Sequence, residues 1–128
     1  MKFNLFYILI LSVFIGRAQN KIIQLANHKF NTTCNDVWAY TDELGNEYAI
    51  VGLFNGVSII DVTNPNLTNE VYRSSGPDCV WRDLKVFGDY LYVTNEADSG
   101  LLIIDLTGLP NSTTLTEKKF NSNNCRKL

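Results

Sequence analysis

Two stretches decide the architecture: Gly56-Val57-Ser58-Ile59-Ile60-Asp61-Val62-Thr63 and Gly100-Leu101-Leu102-Ile103-Ile104-Asp105-Leu106-Thr107, 44 positions apart. Glycine, aspartate and threonine hold the same register in both, and the residues between them are mostly β-branched or aliphatic. An apolar run this short, opened by glycine and closed by an Asx-type turn signal, is a buried strand and not a helix. The aspartate is placed to bond the backbone two residues on, which stops the strand and fixes the turn.

Working outward, the repeat extends on the N-terminal side of both stretches. Glu47-Tyr48-Ala49-Ile50-Val51 answers to Asp89-Tyr90-Leu91-Tyr92-Val93 at an offset of 42, and Asp36-Val37-Trp38 answers to Asp83-Leu84-Lys85 at an offset of 47. The offsets differ only across polar segments, as loop insertions would make them. Within the first copy, strands are expected at residues 35–40, 48–53, 57–62 and, shorter, 70–73. The breaks are residues 42–46, Phe54-Asn55-Gly56 and Thr63-Asn64-Pro65-Asn66. Asn55-Gly56 predicts a type I′ hairpin turn, and Pro65 cannot donate to a sheet ladder. No amphipathic helix of useful length is visible.

A period in the low forties carrying four short strands is the pattern of a β-propeller blade. One twisted four-stranded sheet has two apolar faces and can cover them only against neighbours. The predicted fold is therefore all-β: an incomplete β-propeller of about two four-stranded antiparallel blades after a signal peptide. The expected division is signal peptide 1–18, lead-in 19–34, blade 1 at 35–76, blade 2 at 77–120 and an atypical polar tail at 121–128. The fourth strand of blade 2 is weak, marked by Leu115 and Phe120. Propellers need at least about four blades. The expectation is thus a truncated product or fragment, or two blades that associate with other copies.

The first residues read as a leader. Lys2 supplies a positive end, residues 5–15 are apolar except for Ser12, and Gly16-Arg17-Ala18 puts small residues at −3 and −1 of a cut before Gln19. The apolar run is too short to span a bilayer, which takes roughly twenty residues. Composition is that of a globular chain, 45% hydrophobic and 19% charged, with a net charge of −2. Losing Lys2 and Arg17 makes the mature chain more acidic. Lys118-Lys119 is the only basic pair before the tail, so neither nucleic acid nor an anionic membrane is an expected partner. Three cysteines, one histidine and no Cys-x-x-Cys leave no basis for a zinc site, and no cofactor is expected.

The segments Cys34-Asn35-Asp36-Val37-Trp38-Ala39-Tyr40, Glu47-Tyr48-Ala49-Ile50-Val51-Gly52-Leu53, Asn55-Gly56, Trp81-Arg82-Asp83-Leu84-Lys85-Val86 and Gly100-Leu101-Leu102-Ile103-Ile104-Asp105-Leu106 resemble the N-terminal half of the choice-of-anchor B family of secreted proteins, relatives of the LVIVD-repeat β-propellers. The resemblance runs from about residue 34 to 112. It implies a surface or extracellular propeller. Members of the family continue through further blades and many end in an anchoring segment, whereas this sequence departs from them after Ser112.

The repeat-defining residues are Asp36, Trp38, Gly56, Asp61, Trp81, Arg82, Asp83, Gly100 and Asp105. Cys34 and Cys79 each precede the first strand of a blade, and first strands of adjacent blades are neighbours. A Cys34–Cys79 disulfide and two separate buried thiols are both compatible with that placement; the bridge would be worth about 4 kcal/mol by loop entropy. Cys125 has no evident partner. Asp36 and Asp83 can share a cation such as calcium, or hydrogen-bond backbone amides between blades; the second is the commoner use. His28, Asp98 and Ser99 are the residue types of a hydrolytic triad, but nothing sets their geometry. Trp38, Tyr40, Trp81, Tyr90 and Tyr92 are expected mainly in packing between blades, with a glycan or peptide platform as the alternative. Asn31, Asn66 and Asn111 begin N-glycan acceptor triplets.

The expected function is a non-catalytic, secreted or cell-surface interaction module, not an enzyme, contacting an unidentified protein or glycan, with no membrane span after cleavage and with self-association through open blade faces. The alternatives are the remnant of a propeller hydrolase or lyase, and a degenerate product without independent function.

Overall fold

The computed structural model describes residues 22–97 and 100–121. The expected leader, Asp98-Ser99 and Cys125 lie outside them. The described residues form eight strands and no helix. The first sheet is a meander of β1 (Cys34–Thr41), β2 (Glu47–Leu53), β3 (Gly56–Asp61) and β4 (Asn69–Ser75), and the second repeats it with β5 (Arg82–Phe87), β6 (Tyr90–Asn95), β7 (Gly100–Asp105) and β8 (Glu117–Asn121). All neighbours pair antiparallel. These are two blades of an incomplete β-propeller.

Pairing registers set β1, β2 and β3 in correspondence with β5, β6 and β7. Asp36 lies opposite Gly52 and Asp83 opposite Thr94; Tyr40 faces Tyr48 and Phe87 faces Tyr90. Between the last two pairs blade 1 inserts residues 41–47, whereas blade 2 turns with Gly88 and Asp89 alone. That loop accounts for the drop in offset from 47 to 42. The rise to 44 comes from the next hairpin, where the pairs Gly52–Val57 and Thr94–Leu101 bracket a longer connection in blade 2.

The Asn55-Gly56 turn differs from its expectation. Leu53 pairs with Gly56, so the two turn residues are Phe54 and Asn55, and among the described residues none other than glycine has positive φ. A type I′ turn is thereby excluded. Gly56 is instead the first residue of β3, at φ +154, and a Cβ there would lie 2.0 Å from the Ser74 carbonyl oxygen of β4. Close approach of the fourth strand, not the hairpin, demands this glycine. The fourth strand of blade 2 also forms in full, pairing Lys118 with Ile103 and Phe120 with Leu101.

The main core lies between the two sheets. Tyr40, Tyr48, Ile50, Val57 and Ile59 of blade 1 meet Leu84, Leu91, Val93, Leu102 and Ile104 of blade 2, with Leu106, Leu109 and Leu115 closing one end. β2, β3, β6 and β7 each give alternate residues to this layer, as the period of a strand requires.

Candidate functional site

Because a strand sends successive side chains to opposite faces, each blade has a forward and a back face. The forward face of blade 1, with Asp36, Trp38, Tyr40, Ile50, Ile59 and Tyr72 in cross-strand rows, is the one packed against blade 2. Blade 2 meets it with its back face: Leu84, Leu91, Val93, Leu102 and Ile104. The junction runs from back to forward; among the described residues the forward face of blade 2 has nothing packed on it, and the back face of blade 1 is open along β1 and buried at Ser58 and Ile60 of β3.

Polar contacts hold the junction along its rim. The Asp36 carboxylate accepts the backbone N–H of its neighbour Val37 and that of Leu84 in blade 2, each at 2.8 Å. One carboxylate thereby links the first strands of both blades, which is the amide-bonding alternative for Asp36. Tyr40 donates to Asp89 at 2.9 Å and Tyr72 to Glu117 at 2.5 Å. Burial, and then the Asp89 bond, push the Tyr40 hydroxyl up to about 12; burial and the Glu117 contact push Tyr72 up as well. The Lys85 ammonium sits over the Trp38 ring, 4.0 Å from its centroid. Arg82 is buried, donating to the Leu53 carbonyl at 3.1 Å and the Pro77 carbonyl at 2.8 Å. It ties the start of β5 to the end of β2 and to the interblade connection.

Asp61 and Asp105 close their strands in the same way. Thr63 N–H donates to Asp61 at 2.9 Å and Thr107 N–H to Asp105 at 3.0 Å. The Thr107 bonds hold the Asp105 carboxyl below its ordinary range. Gly100 begins β7 as Gly56 begins β3.

The residues expected to pack between blades divide. Tyr40 is in the core, and Trp38 is half covered by Lys85. Trp81 is 68% exposed and Tyr90 44%, because blade 2's forward face has nothing packed on it among the described residues. Cys34 is an exposed free thiol and Cys79 a buried one whose Sγ donates to the Trp81 carbonyl at 2.8 Å. Cys34 is the first residue of β1, while Cys79 stands three residues before β5. Their places are therefore not equivalent: Trp81 is the counterpart of Cys34. Asp36 and Asp83 line one groove with Lys85, Tyr92 and Thr94, and among the described residues no group of three or more metal-ligating side chains gathers. His28 lies against Phe30 in the lead-in.

The open forward face of blade 2 is the candidate functional surface. In register it carries Asp83, Lys85, Phe87, Tyr90, Tyr92 and Thr94 on β5 and β6, Leu101 and Ile103 on β7, and Lys118 and Phe120 on β8. Each is the counterpart of a blade 1 residue in the junction: Ile103 of Ile59, Tyr92 of Ile50, Lys118 of Tyr72. Phe87 is 78% exposed, and Tyr92, Leu101, Ile103 and Phe120 are half-buried. The apolar side chains it leaves uncovered make this sheet face the candidate surface. Sequence reasoning missed Tyr72, Glu117, Glu70 and Lys118. The fourth strands carry no shared motif, and a bulge after Ile59 sets Glu70, not Val71, opposite Ile60, so counting along the repeat misaligns them.

The geometry defines a class: tandem four-stranded blades of the β-propeller type, joined back to forward. The LVIVD repeat family model matches residues 35–74 and 81–120, one match per blade, and more than half of the chain. The chain belongs to the LVIVD-repeat family. Searches of curated proteins and of solved structures each return no match.

Proposed function

We propose that this chain is a non-catalytic, secreted or cell-surface interaction module that binds protein or glycan through an uncovered blade face, and that within the LVIVD-repeat family it stands with the choice-of-anchor B proteins. The observation that carries the reading is the forward face of blade 2. It repeats, position by position, a surface that blade 1 uses for binding another sheet, and it offers aromatic and aliphatic side chains flanked by Asp83, Lys85 and Lys118. Apolar centres rimmed by charge are the usual anatomy of protein-binding surfaces. Export is supported by residues 2–18, whose charged start, apolar stretch and small residues suit a signal peptidase.

Two measurements test this. The N-terminus of protein recovered from the medium should be Gln19; retention of residues 1–18 in a cell-associated form would refute cleavage. The purified chain should bind a component of the producing cell's surface or medium, and Ile103→Asp should abolish that binding without lowering the melting temperature. Binding unaffected by Ile103→Asp, or turnover of ester or glycoside substrates by the chain, would refute the reading.

A further inference from the structure

We infer that the chain docks head-to-tail on copies of itself, the forward face of blade 2 (Asp83, Tyr92, Ile103, Lys118) receiving the back face of blade 1 (Val37, Val51, Glu70) from the next copy. This rests on the reading of that forward face as a binding surface and names its occupant. The argument is continuity with the junction already present. The surface that blade 2 turns toward blade 1 is its back face, so the surface complementary to an open forward face is another back face. Blade 1 has one. Val37, the counterpart of Leu84, is 63% exposed, and Ala39, Ala49 and Val51 lie in the same rows, exposed or half-buried. The lead-in touches this face at β4, where Arg73 lies over the Phe30 ring, and Val37 stays open.

Transferring the junction's own contacts by repeat position gives complementary chemistry. The counterpart of the Asp36-to-Leu84 bond is one from Asp83 to the Val37 N–H of the next copy, a donor that Asp36 holds within its own chain and that Asp83 would share. Among the described residues Asp83 is exposed, and no group donates to its carboxylate as Val37 and Leu84 do to that of Asp36. The Tyr72–Glu117 bond becomes Lys118 against Glu70, since Lys118 is opposite Ile103 as Tyr72 is opposite Ile59, and Glu70 is opposite Ile60 as Glu117 is opposite Ile104. A neutral donor–carboxylate pair inside the chain thus becomes an ion pair between chains. Lys118 is exposed, over the Phe120 ring, and the Glu70 carboxylate, 28% exposed, already receives Arg73 and Ser58, so Lys118 would join an existing Arg73–Glu70 ion pair. An interface between two different faces is heterologous and closes into a ring when its rotation allows.

The test is sedimentation equilibrium of the mature chain, alone and as Lys118→Glu, Glu70→Lys and the double variant. Association is expected for the wild type. Each single reversal sets like charges together and should weaken association about tenfold or more, and the double variant should regain most of it. Mixing the two single variants should yield hetero-association stronger than either alone. Ile103→Asp, with an unchanged far-ultraviolet spectrum, should remain monomeric, which guards against misfolding of the Glu70 variant. A wild-type chain that stays monomeric at 100-fold dilution and concentration alike, or reversals that fail to rescue each other, overturns the inference. If the chain is monomeric yet Ile103→Asp still abolishes binding to another ligand, only self-docking fails; if Ile103→Asp alters neither, the interaction surface itself is refuted.

Discussion

Gly56→Ala separates close strand approach from simple backbone strain. The added Cβ would stand 2.0 Å from Ser74 O and 3.1 Å from Ser74 C, both backbone atoms of β4. Ordinary contact begins near 3.4 Å, so β3 and β4 must separate by more than an ångström there. A backbone hydrogen bond stretched that far is lost. Two lost ladder bonds at about 1 kcal/mol each, with about 1–2 kcal/mol for an L-residue at positive φ, give about 3–4 kcal/mol. For a unit of this size, total stability is of order 5–15 kcal/mol. The control is Gly45→Ala: φ is +84 but nothing lies within 4 Å of the new Cβ, so only the conformational cost of about 1–2 kcal/mol applies. Urea unfolding followed by Trp38 and Trp81 fluorescence measures both. Equal losses in the two variants, or a Gly56→Ala loss below about 1 kcal/mol, would refute the claim that strand proximity selects this glycine.

Ile59→Ala removes a fully buried side chain from the junction and should cost about 2–5 kcal/mol, whereas Ile103→Ala, its counterpart on the open face, should cost less than about 1 kcal/mol in the monomer; similar losses in calorimetry would contradict the assignment of faces. Tyr40 has its folded pKa raised from 10.0 to about 12. Its contribution is therefore complete below pH 10 and disappears as pH climbs through 12, so melting temperature should fall across that window, and less so in Tyr40→Phe. At the acid end, Asp105 and Glu70 have folded pKa values held down, Asp105 by its Thr107 bonds and Glu70 chiefly by Arg73. Their stabilisation is present above the ordinary carboxylate range and is lost as pH drops below it. Iodoacetamide should modify exposed Cys34 rapidly and buried Cys79 only on unfolding; a chain resistant at both until reduced would show the bridge.

Much of the fold was legible because its signals are local. The Gly-to-Asp strand with its threonine two residues on is self-contained: Asp61 and Asp105 bond the very next turn, and the alternation in β2 and β6 states which residues share a face. The candidate surface was only partly legible. Asp36 and Asp83 were recognisable as equivalent by position, yet their environments differ: one carboxylate bridges two strands and the other meets no second blade.

By itself, then, the sequence determined the strand order, the repeat and the two-sheet architecture, because period-two burial and turn chemistry act over a few residues. Tertiary structure alone decided which face of each blade meets the other, that Arg82 lies inside, that Gly56 serves strand packing, and that Tyr72 finds Glu117 45 residues away. The reason is physical. Either face of an apolar strand is chemically fit for burial, and only the packing of one sheet on the next selects between them.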